Sequence, residues 1–214
     1  MSLLKQAKMY SPAQHKMILS YLDTTRDPVR NRALFLMSTK LGLRACEIAA
    51  ICWNNVLNDY NNAVGDTVRI TNDFAKGAAG GREFYMGDEV KAALQRLYEE
   101  TVGAYVEHQN FYFEPIDHNN FYYDRIILNQ FGDGFSANGI SRLFYYWFKE
   151  VMGIEGFSSH SGRRTFITNC ARKVSTVGAS LYDVQRMAGH RCLSSTQRYI
   201  EENADAQRKL VNLI

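Results

Sequence analysis

The chain has 214 residues, 46% of them hydrophobic, and a formal charge of only +3. That is room for one large domain or two small ones with a real core. Cys46, Cys52, Cys170 and Cys192 form no C-x-x-C pair and no zinc spacing, which argues against a disulfide scaffold or structural zinc and predicts reduced, mostly buried thiols. Residues 1–10 lack the apolar core of a signal peptide, and no run is long enough to span a bilayer, so a cytoplasmic protein with no membrane partner is expected.

Ser11-Pro12-Ala13-Gln14 reads as a capping box with proline at the first helical position. The helix it opens turns Met17, Ile18 and Leu22 inward. Asp27-Pro28 starts a second helix through Ala33, Leu34, Met37 and Leu41, closed by Gly42. A third follows from Leu43, with Ile48, Ile51 and Cys52 as its apolar stripe and Arg44 and Glu47 three apart on the other face. That spacing fits an ordinary surface ion pair, contributing at most about 1 kcal/mol. It equally fits an arginine held in place by its own carboxylate.

Residues 67–71 and 82–86 alternate as strands do and, with the region near Val56, predict a small antiparallel sheet. The stretch between them is rich in glycine and alanine and carries Lys76. A helix runs from Asp88 through Val90, Leu94, Leu97 and Tyr98. Residues 107–124 are acidic and aromatic, which disfavours a DNA surface; a packed loop is expected, with a protein contact as the sharper alternative. Residues 125–128 predict a short extended segment. Ser136 caps a helix carrying Ile140, Leu143, Phe144, Trp147, Phe148 and Val151 at core spacing, ended by Gly153. Residues 204–214 predict a modest helix with Ala206, Leu210, Leu213 and Ile214 on or near one face. The fold class is α+β, mainly helical with a small antiparallel sheet.

The charge is not spread evenly. From His160 to Tyr199 there are seven Lys/Arg against one acid, Asp183, a local excess that suits a polyanion. Ser158 and Ser159 offer capping hydroxyls, so His160 and Arg163, three residues apart, fall in the first turns of a helix whose apolar face continues through Phe166, Ile167, Cys170 and Ala171. The free N–H groups and positive dipole of that end favour a phosphate. A further helix, 181–188, stops at Gly189 and delivers His190; Tyr199 follows nine residues later.

His160-x-x-Arg163, then Gly189-His190, then Arg198-Tyr199, joined upstream by Leu41-Gly42-Leu43-Arg44-x-x-Glu47, resembles the tyrosine recombinase (phage integrase) family. The resemblance covers residues 11–199 and matches the catalytic domain. It implies one domain over 1–214, with 200–214 a tail able to pack in trans and no N-terminal core-binding domain, as in small stand-alone members such as the fimbrial phase-variation invertases. The implied activity is site-specific DNA recombination through a 3′-phosphotyrosyl intermediate, in a bacterial or phage-encoded protein. It implies Tyr199 as nucleophile, Arg44 and Arg163 on the scissile phosphate, Lys76 protonating the leaving oxygen, His160 assisting proton transfer, His190 donating to the phosphate and Glu47 supporting Arg44. Arg164, Arg191 and Arg198 are expected as further DNA contacts. No cofactor, metal ion or ATP is expected; the partners are a double-stranded recombination site and further copies of the chain, as dimer or tetramer on DNA. Gly162, where a bulkier apolar residue is common, predicts a helix that starts late. A silent DNA-binding regulator is set against this by the presence of Tyr199. A type IB topoisomerase is set against it by small size and the compact His190–Tyr199 spacing. An interaction module built on residues 107–124 leaves the basic stretch unexplained.

Overall fold

A computed structural model describes residues 7–58, 63–71, 81–112 (side chains to 102), 124–199 and 211–212. Its packing separates into two compact units, Met1–Phe166 and Ile167–Ile214. The elements of the first are α1 (Pro12–Leu22), α2 (Pro28–Lys40), α3 (Ala45–Ala50), a 3₁₀ turn (Trp53–Asn55), β1 (Thr67–Ile70), β2 (Arg82–Tyr85), α4 (Asp88–Tyr112) and α5 (Ala137–Tyr145), continued by a π-helical turn (Tyr146–Val151). Helix α6 (Ser159–Lys173) contains the division; then come a 3₁₀ turn (Val174–Val177), α7 (Leu181–Ala188) and α8 (Leu193–Gln197). This is the α+β, mainly helical class expected, with β1 and β2 pairing antiparallel from Thr67↔Tyr85 to Ile70↔Arg82. The chain near Val56 adds an isolated Leu57–Val64 bridge in place of a further strand.

The first unit is built around α2. Val29, Asn31 and every residue from Ala33 to Thr39 are buried, the pattern of a helix covered on all sides. Helices α1, α3 and α4 pack on it, and α3 also meets α5. Ser11 caps α1 as its sequence predicts: Gln14 N donates to Ser11 Oγ at 3.2 Å and Ser11 N to Gln14 Oε1 at 3.0 Å. Just before it, the Tyr10 ring stacks on Phe157 with centroids 5.0 Å apart, and its N–H donates to Thr165 Oγ1.

Several expectations are corrected. Met17 is exposed, because α1 buries Ile18, Leu19 and Leu22 instead. Val151 is exposed as well: Met152 N donates to Trp147 O, five residues back, and this wider turn shifts the phase after Phe148. The thiols are free, but Cys46 and Cys192 are exposed and Cys52 and Cys170 half-buried. Cys46 lies on the outer side of α3, whose buried residues are Glu47, Ile48 and Ala49, and Cys192 sits at the N-cap of α8. Residues 107–112 are helical, as the end of α4, and not loop. Residues 113–123, Lys76 and, apart from 211–212, the tail beyond Tyr199 lie outside the described residues.

Gly162 does not delay its helix. Helix α6 begins at Ser159 and includes it, and a Cβ there would lie 2.2 Å from Ser38 Oγ and 2.9 Å from the Ser38 carbonyl carbon. Glycine is what lets α6 approach the backbone of α2 so closely. Alanine would gain about 1 kcal/mol in helix propensity but must displace main chain, which costs about 1–3 kcal/mol or more. Gly162→Ala is therefore expected to lower the melting temperature, by about 2–8 °C, despite the better propensity. An unchanged or raised melting temperature in a thermal scan would show that the two helices have room to part.

Candidate active site

Within the first unit, the candidate residues begin at the end of α2. Gly42 takes φ +65°, and a Cβ on it would lie 2.4 Å from Phe166 Cδ1; both the conformation and the space call for glycine. The turn aims the Gly42 carbonyl at α6, where Arg163 Nη1 donates to it at 2.7 Å. Arg163 is buried, at 3% exposure. Two residues after Gly42, Arg44 forms the N-cap of α3. The sequence's two arginines are thus tied to one short stretch of backbone. His160 is exposed in the first turn of α6, its N–H donating to Ser158 Oγ at 3.2 Å.

Glu47 settles the alternatives left open by its spacing from Arg44. It is fully buried, at 0% exposure, so this is no surface ion pair. Its Oε2 accepts from Arg44 N at 2.7 Å and its Oε1 from Arg44 Nη1 at 2.9 Å. Arg82, at the start of β2, adds Nη1 to Oε1 at 2.8 Å and Nη2 to Oε2 at 3.0 Å. Burial pushes the carboxyl's pKa up, but the hydrogen bonds and charge of Arg82, then those of Arg44, more than offset it and hold it below the usual carboxylate range. Arg82 was not anticipated, although the signal was there. In the alternation of residues 82–86 it falls in phase with Phe84 and Met86, both buried, and pairs across the ladder with buried Ile70. An arginine on the inward face of a strand requires a carboxylate.

A separate group of candidate residues lies in the second unit. Helix α7 ends at Gly189 with φ +62°, and His190 N donates to Gln185 O at 3.1 Å. Gln185 Nε2 returns a bond to His190 O at 3.0 Å. The imidazole is held from the side: Nδ1 lies 2.9 Å from Oγ1 of Thr196, which is fully buried. Whichever of the two carries the shared proton, the ring's orientation is fixed and Nε2 is directed away from Thr196. Helix α8 brings Tyr199 back onto His190 as a near-parallel stack, centroids 5.6 Å apart and planes at 19°. The Tyr199 carbonyl accepts from Thr168 Oγ1 at 2.9 Å. Thr168 and Thr196 hold the Tyr199 backbone and the His190 ring, and no sequence spacing announces them. Of the further DNA contacts expected, Arg191 and Arg198 are exposed, whereas Arg164 is half-buried and donates from Nη1 to Ala7 O at 3.0 Å.

Residues 8–206 match the model of the phage integrase family. The chain belongs to that family. Among curated relatives, the tyrosine recombinase XerC of Leptospira interrogans is 26% identical over 172 residues, a match covering 80% of this chain and 46% of that protein. The chain spans about half the length of the curated relatives it matches. In structure it is similar to the Tn1549 transposon integrase solved with a circular-intermediate DNA (TM-score 0.73, 18% identity, 99% of this chain and 67% of that one). It is also similar to the XerA recombinase (TM-score 0.65, 18% identity, 97% and 65%). At these identities the structural likeness concerns the fold, the mainly helical phage integrase domain with its small sheet.

Proposed function

We propose that the chain is a tyrosine-type site-specific recombinase that cuts and rejoins DNA through a covalent 3′-phosphotyrosyl intermediate. The observation that carries this reading is Tyr199, a phenol fixed by its backbone to Thr168 and stacked on a histidine that is itself held by Thr196. A protein that only bound DNA would have no use for a phenol so arranged.

In this reading the Tyr199 oxygen attacks the scissile phosphorus, a P–O bond to tyrosine forms and the bond to the 5′-oxygen breaks. His160 assists removal of the phenolic proton, and Lys76 supplies the proton that the leaving 5′-oxygen takes up. Arg44 and Arg163 hold the nonbridging oxygens and stabilise the charge that builds on them; His190 donates a further hydrogen bond. One phosphodiester replaces another, so rejoining is the same step run backwards with a new 5′-hydroxyl. Arg191 and Arg198 contribute to the phosphate contacts, and copies of the chain assemble on a full site as dimer or tetramer.

The test is covalent capture. Incubated with a pool of randomised duplexes nicked so that religation fails, in the presence of EDTA, the protein should retain DNA through boiling in SDS. Digestion of the adduct should leave a phosphotyrosyl peptide containing Tyr199. Retarded DNA that is fully released by SDS would leave a binding module and remove the enzyme.

A further inference from the structure

The charges around Glu47 do not cancel. One buried carboxylate receives two guanidiniums, and the two are not equivalent. Arg82 meets it as a two-pronged fork and its side chain is 11% exposed. Arg44 gives one guanidinium bond, from Nη1, and its side chain is 35% exposed. A fork on a carboxylate is the stronger and more directional pairing. It is delivered here by a strand whose register is fixed by the ladder with β1.

We propose that Arg82 is a positioning residue that neutralises Glu47, so that Glu47 can hold Arg44 by one edge without cancelling its charge. Without Arg82 the buried carboxylate would have Arg44 as its counter-ion, and the guanidinium would turn inward to satisfy it. With Arg82 in place, two positive charges share one negative charge, and the surplus lies at the more exposed arginine. The inference rests on the reading of Arg44 as a ligand of the scissile phosphate.

Two substrates separate the charge effect from a folding effect. One is a nicked duplex with an ordinary phosphodiester at the cleavage point; the other carries a neutral methylphosphonate there, which has less need of a cation. In single-turnover adduct formation, Arg82→Met should lose about 10- to 100-fold on the phosphodiester and much less on the methylphosphonate. Equal losses on both would overturn the proposal, since a merely structural defect ignores the charge of the substrate. Arg44→Ala checks the underlying reading: if it loses equally on both substrates, Arg44 is not a phosphate ligand and the premise fails first. Removing one partner of a buried pair can prevent folding, so Arg82→Met is also made with Glu47→Gln, which takes away both buried charges together. A glutamine in place of Glu47 can still accept from Arg44 while carrying no charge, so that double variant, though slower overall, should still favour the phosphodiester over the methylphosphonate. Loss of the preference would overturn the proposal even if the single variant never folds.

Discussion

Tyr199→Phe should bind half-site DNA with affinity within about twofold of wild type, as expected for a change that leaves packing intact, and give no SDS-resistant adduct. The structure makes this a clean experiment. Only the phenolic oxygen is removed; the ring that stacks on His190 and the carbonyl that accepts from Thr168 remain. Binding and fold should therefore survive while the covalent step is lost. An adduct formed by Tyr199→Phe would assign the nucleophile elsewhere in the chain.

Arg163→Ala should slow adduct formation by about 10²–10³-fold, the usual cost of removing a preorganised donor from a developing oxyanion. It should also destabilise the protein. The buried Gly42 carbonyl loses the bond it accepts from Nη1, and an unsatisfied buried acceptor costs about 1–3 kcal/mol. Arg163→Lys separates the two effects. A lysine can restore a bond to the carbonyl, but as a point charge it cannot also present the planar fork that the proposed function asks to hold two phosphate oxygens. It should recover much of the stability, read as a urea midpoint, and little of the rate. A fast Arg163→Lys enzyme would show that charge alone suffices at this position.

What the sequence disclosed was local. The Ser11 capping box, the glycines at 42 and 189 that end helices, and the His160-x-x-Arg163 pair all lie within a few residues of their partners. Local spacing is what a linear reading can weigh. What it withheld was long in sequence: Glu47 meets Arg82 across 35 positions, and Arg163 meets Gly42 across 121. Glu47 shows the boundary well. Its spacing from Arg44 was legible, but its burial follows from α3 being a six-residue helix packed against both α2 and α5. Gly162 read as a propensity defect because its reason, Ser38, belongs to another helix. Arg82 could have been found, since its phase in the strand faces inward; Thr196 and Thr168 could not.

The anchor of Arg163 is a main-chain oxygen, and this sets what genetics can see of it. Replacing the Gly42 side chain, which is a hydrogen, never deletes the carbonyl. Alanine scanning thus reports at this position the strain of a left-handed turn and the collision with Phe166, and the hydrogen bond stays hidden beneath them. Nor should positions 42 and 163 covary across an alignment, because no exchange of side chains could remake the contact with another pairing. The link between the two arginine motifs is therefore silent at position 42 and reports only through Arg163; an ester in place of the amide after Gly42, which weakens the carbonyl as an acceptor and also removes the Leu43 N–H that donates to Met37 O, would probe it from the other side.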